Sequence, residues 1–129
     1  MKLIDTDILI DHFHGNAAAT ALVRDWLLAG ETVCISVVTV TEILAGMRDG
    51  EQADTDALLA LFFVQDMDET LARVAGGYLN QFARSHRLDL GDAVIAATAK
   101  VLDASLYTRN VRHYPMTDID VIAPYQRGA

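Results

Sequence analysis

Apolar and polar positions divide the chain into short apolar runs separated by stretches with helical spacing. Lys2–Ile4 is too short for a helix and reads as a buried strand. Thr6–Phe13 starts a helix, which the His-Gly-Asn sequence at His14 to Asn16 breaks. Ala17–Leu28 is helical and Gly30 ends it. The β-branched and apolar run Val33–Ser36 predicts a second strand, followed by helices over about Thr39–Met47 and Asp54–Leu61. Phe63–Gln65 fits a short strand, and Asp68–Arg87 a long helix with Asp68 as its cap. Leu90–Leu102 is apolar nearly all round, which assigns it to the middle of the molecule. Ser105–Thr108 and Val121–Ile122 supply two more strands. Strands alternating with helices imply an α/β layered fold with a mainly parallel sheet, whose ligand site lies at the carboxyl ends of the strands.

Composition narrows this picture. With 129 residues, 52% hydrophobic and 22% charged, the chain fits one domain over residues 1–129 with a real core. No repeat, linker or low-complexity segment interrupts it. The longest apolar stretch, Ala57 to Val64, is far short of a membrane span, and Lys2 leads directly to Asp5 without a signal-peptide core. A cytoplasmic protein with no membrane association is expected. Cys34 is the single cysteine, so no internal disulfide forms, and its TVCIS setting suggests a buried strand thiol in a reducing compartment. The net charge of −8 argues against loose, counterion-driven binding to nucleic acid. Two basic clusters remain, Arg109 with Arg112 and His113, and Arg84 with His86 and Arg87.

The candidate chemistry rests on Asp5, Glu42 and Asp92, each placed where a hydrophobic strand or a buried helix begins. Two unit charges about 4 Å apart repel by roughly 4 kcal/mol at an effective dielectric near 20. Brought together, the three acids require a cation. Each also has a capping explanation: Asp5 ahead of Thr6, Thr39 with Glu42 in the spacing of a capping box, and Asp89 with Asp92 as N-cap and N3. The two roles are compatible, because a helix N-terminus carries partial positive charge.

Four segments, LIDTDILID, TVTEIL, GDAVIAATA and LYTRNVRHY, resemble in order the signature segments of PIN-domain ribonucleases, specifically the VapC toxins of toxin–antitoxin pairs. The resemblance covers nearly the whole chain. It implies a three-layer α/β/α fold and RNA cleavage with Mg²⁺ or Mn²⁺, the metal being held by Asp5, Glu42 and Asp92. Thr6 and Thr108 take supporting hydroxyl positions, and Asn110 falls where the family has a fourth polar or acidic residue. Asn110 is uncharged, and His113 stands where some relatives carry an acid, which leaves open whether one ion or two is bound. Asp7 is expected to face away in the first helical turn, and Asp89 to cap. Arg109 or Arg112 fits a neighbouring phosphate through the guanidinium fork. Hard oxygen ligands suit such cations.

The resemblance further implies a VapB-type antitoxin covering a groove, and 5′-phosphate and 3′-hydroxyl products. Apolar bulk at Ala21, Leu22, Trp26 and Leu27 and along Leu58 to Phe63 suggests a homodimer and a partner-filled groove. Two other readings stay open. Asp5-Thr6-Asp7 also looks like the nucleophile motif of haloacid-dehalogenase phosphatases, with Lys100 following Gly91-Asp92. The other is a non-catalytic module that binds RNA or protein.

Overall fold

A computed structural model describes residues 1–126. Five parallel strands form its sheet: β1 (Lys2–Ile4), β2 (Val33–Ser36), β3 (Phe63–Gln65), β4 (Ser105–Tyr107) and β5 (Asp120–Ile122), in the order β3-β2-β1-β4-β5. Six helices surround it: α1 (Thr6–Phe13), α2 (Ala17–Leu28), α3 (Val37–Ala45), α4 (Gln52–Leu59), α5 (Glu69–His86) and α6 (Leu90–Leu102). A 3₁₀ turn spans Val111–His113.

Alternation along the strands builds two cores. Leu3, Cys34 and Leu106 face α5 and α6, while Ile4, Val33 and Ile35 face a second cluster that includes Ile8, Val23, Ile43 and Leu58. Because successive strand side chains point to opposite faces, both faces are covered and the fold is a three-layer α/β/α arrangement. Helix α6 is buried at seven consecutive positions, Ala93 to Ala99, as its all-round apolar pattern requires. Small side chains let it lie close to the sheet and to α5. Cys34 is fully buried, and burial pushes its thiol pKa up, away from the reactive thiolate.

Several boundaries differ from the sequence reading. The helix expected from Thr39 to Met47 starts at Val37, directly after β2, because Ser36 serves as its N-cap and accepts the Val38 N–H at 3.2 Å. Thr39 is therefore inside the first turn, so Thr39 and Glu42 form no capping box. The next helix begins at Gln52 rather than Asp54 and ends at Leu59, and β4 ends at Tyr107, leaving Thr108 outside.

The strand order has one reversal. The chain moves from β1 outward to β2 and β3, then returns to the other side of β1 with β4 and β5. Between the carboxyl ends of β1 and β4 the connections diverge and leave a crevice, the usual ligand position of an open parallel sheet.

Candidate active site

Asp5 follows β1 at that crevice. Its backbone N–H donates to the Tyr107 carbonyl at 2.9 Å, and Thr108 follows β4 alongside it. The Asp5 side chain is only 6% exposed and is held on both oxygens. Oδ1 accepts the Thr6 N–H at 2.7 Å, and Oδ2 accepts the hydroxyls of Thr108 and Tyr114, each at 2.8 Å. Asp5 thus caps α1 and reaches the site with the same carboxylate.

Thr6 links Asp5 to Glu42. The Thr6 hydroxyl donates to Glu42 Oε1 at 2.8 Å, and with its one proton used there it accepts from Thr39 Oγ1 at 2.9 Å. A Cβ added to Gly91 would lie 3.6 Å from Glu42 Oε2 and 3.6 Å from Asp89 Oδ1, so Glu42 reaches across to the start of α6. Asp89 caps that helix by accepting the Asp92 N–H at 2.8 Å. Asp92 lies inside the first turn, with Oδ1 3.4 Å from the Tyr114 hydroxyl and Oδ2 3.8 Å from His113 Nδ1. Burial, then the charges of Asp89 and Asp5, push Asp92 up to about 6. Burial beside Asp5 and Asp92 raises the Tyr114 pKa, which keeps its hydroxyl a donor.

Asp7 does not face away. Side chains on a helix tilt toward its N-terminus, which turns Asp7 back onto the segment after β4. Its Oδ2 accepts the Arg109 N–H at 3.2 Å and the Asn110 amide at 2.9 Å, with the Thr108 hydroxyl 3.3 Å away. Burial and then Asp5 push it up to about 6, partly offset by Arg109. The Arg109 guanidinium is ion-paired internally, with Nη1 3.2 Å from Asp11 Oδ1 and Nε 3.8 Å from Asp7 Oδ2. Asp7 Oδ1 and Arg109 Nε are buried without a hydrogen-bond partner. Arg112 and His113 are exposed at the rim.

Tyr114 is the residue that the sequence reading missed. It is 4% exposed and stands at the end of the LYTRNVRHY segment, where nothing local distinguishes a buried tyrosine from a surface one.

Carboxylates from three elements therefore meet through Thr6 and Tyr114, with no lysine or arginine among their hydrogen-bond or ion-pair partners in the described residues. Among those residues no three acidic, histidine or cysteine side chains already enclose an ion-sized point. The donor set nevertheless suits Mg²⁺ or Mn²⁺: all-oxygen and anionic, for cations that usually keep several waters and need few direct carboxylates. The haloacid-dehalogenase reading loses its lysine, because Lys100 sits two turns beyond Asp92 in α6, 3.7 Å from Asp118. Beside Glu42 an apolar groove of about 250 Å³ is lined by Ile10, Phe13, Ile43, Gly46 and Met47.

An oxygen-lined acidic crevice at the switch point of a parallel three-layer sheet defines the class, and comparison with known proteins agrees. The PIN domain family matches residues 2–118, and the chain belongs to that family. It is 46% identical over 120 residues to the ribonuclease VapC10 of Mycobacterium tuberculosis, covering 90% of this chain and 87% of that protein. Ribonuclease VapC19 of the same organism is 41% identical over 126 residues, covering 97% of this chain and 100% of that one. A toxin–antitoxin complex from Klebsiella pneumoniae contains a chain of the same fold, with a TM-score of 0.80, 27% identity, and coverage of 98% and 99%.

Proposed function

We propose that the protein is a metal-dependent endoribonuclease, the toxin of a VapBC-type pair, neutralised by a VapB-type antitoxin. The observation that carries this reading is the linkage of Asp5, Glu42 and Asp92 through Thr6 and Tyr114 at the sheet's carboxyl edge, without a balancing lysine or arginine among the described residues. Asp5, Glu42 and Asp92 would hold Mg²⁺ or Mn²⁺, which would supply Lewis acidity to the phosphodiester and to the attacking water. The chain's own groups orient and bind. Thr6 fixes Glu42, and Thr108 fixes Asp5. Asn110 fills the fourth corner as a neutral amide anchored to Asp7. The exposed Arg112 offers a positive contact to a neighbouring phosphate, which the internally paired Arg109 does not. The PIN resemblance gives 5′-phosphate and 3′-hydroxyl ends.

The partner assignments rest on surface chemistry and on the relatives. The apolar groove that ends at Glu42 suits an antitoxin segment that presents apolar side chains and a basic one to the acids. Leu61, just ahead of the edge strand β3, and Phe63, at its start, are half exposed and favour a homodimer, whereas Leu22, Trp26 and Leu27 pack against the second core.

The test is cleavage of mixed RNA by purified protein with Mn²⁺, with Mn²⁺ plus chelator, and by Asp5→Asn and Asp92→Asn. Fragments are expected only with free metal. Each variant should fold and lose more than about a hundredfold in rate, since even residues that merely orient metal ligands cost 10–100-fold. Full cleavage by folded Asp5→Asn refutes the reading, and RNA binding without fragments points instead to a non-catalytic module.

A further inference from the structure

Tyr114 joins two of the acids with one hydroxyl. That hydroxyl donates to Asp5 Oδ2 at 2.8 Å and lies 3.4 Å from Asp92 Oδ1, while the ring is 4% exposed in the core beneath α6. A phenolic group has one proton, so the short contact to Asp5 is the donated bond and Asp92 shares it at longer range. Asp5 Oδ2 already accepts Thr108, and Oδ1 accepts the Thr6 N–H. Thr6 reaches Glu42 through its separate hydroxyl, whereas Tyr114 touches two members of the trio, Asp5 and Asp92, with a single group. It comes from the far end of the segment after β4 and has no part in the TRN motif.

We propose that Tyr114 is a positioning residue for the metal site, setting the orientation of Asp5 and its separation from Asp92 so that both present oxygens to the same cation. This deepens the reading of the three acids as metal ligands and rests on it. A carboxylate fixed by buried donors loses less rotamer freedom when it binds, and orienting hydrogen bonds of this kind are typically worth 10–100-fold in metal affinity. The ring has a separate packing role, which phenylalanine preserves.

The experiment is a Mn²⁺ titration of the full chain, without RNA, followed by electron paramagnetic resonance of the free ion. Wild type is compared with Tyr114→Phe, Asp5→Asn and Tyr78→Phe. Tyr78 is a matched control: it is 6% exposed and its hydroxyl donates to Asp118 at 2.8 Å, outside the acid trio. Tyr114→Phe is expected to bind Mn²⁺ about tenfold or more weakly. Tyr78→Phe should keep wild-type affinity even where it loses similar thermal stability. Unchanged or tighter binding by Tyr114→Phe overturns the inference while leaving the metal site standing, as does an equal loss in Tyr78→Phe. Wild type that binds no Mn²⁺, or Asp5→Asn that binds normally, overturns the metal reading and this inference with it.

Discussion

At the scale of single residues, capping and the site share one carboxylate only at Asp5. Asp5 caps α1 and faces the crevice, whereas Asp92 is held in the first turn of α6 by the cap that Asp89 provides. Both roles were legible because an acid ahead of an apolar helix has few other uses. Asp7 and Tyr114 were not legible. Their partners lie about a hundred residues away, and only the pairing of β1 with β4 brings the segments together. Asp7 clasps Arg109 and Asn110, so Asp7→Ala leaves the Arg109 backbone N–H and the Asn110 side-chain amide short of an acceptor. A loss of about 1–3 kcal/mol is expected, measurable by urea denaturation. Unchanged stability would show that the clasp contributes nothing. The pKa shifts predict a pH effect with a definite sign. Asp7 and Asp92 are raised from 3.8 to about 6, so the folded metal-free protein binds protons more readily than the unfolded chain. Their contribution to stability is fully present below about pH 3.8 and is lost as pH rises through 6. Metal-free protein should melt at a higher temperature at pH 5 than at pH 7.5. Mg²⁺ should stabilise it more at pH 7.5, where the carboxylates are ionised. A melting temperature that rises steadily with pH in chelator would contradict these shifts.

At the scale of elements, strands were readable as short apolar runs, and α6 as a helix without a polar face. The start of α3 was not, because Val37 and Val38 are β-branched and look like a continuation of β2. Ser36 resolves the ambiguity by capping, a choice made by a single hydroxyl at the strand's end. With α3 starting at Val37, Glu42 falls not at a capping position but in the second turn, where Thr6 can reach it. Helix α6 carries the tightest packing constraint. Ala96 and Ala97 are fully buried between the sheet and α5, so Ala96→Leu overfills the layer and should cost about 1–3 kcal/mol, read as a lowered denaturation midpoint. A variant as stable as wild type would mean that the layer is looser than its alanine content implies.

At the scale of the whole molecule, a net charge of −8 on a proposed ribonuclease is accounted for by where the charge sits. Several acids converge on the crevice, where a bound cation would offset their repulsion of phosphate, and the exposed Arg112 carries the opposite charge. The topology puts the acids there, since the connections that leave the paired strands β1 and β4 diverge at the switch point while the residues that follow the strands, Asp5 and Thr108, stay in contact. That edge of the sheet was foreseeable from the alternation of strands and helices. The groove beside Glu42 was not, because its lining comes from α1, α3 and the segment leading into α4, whose relative placement no local pattern encodes. The most direct test of the central claim is anomalous diffraction from crystals soaked in Mn²⁺. A peak about 2.1 Å from oxygens of Asp5 and Asp92, with Glu42 bound directly or through water, is the predicted result. Well-ordered crystals with no peak among these three acids would contradict it.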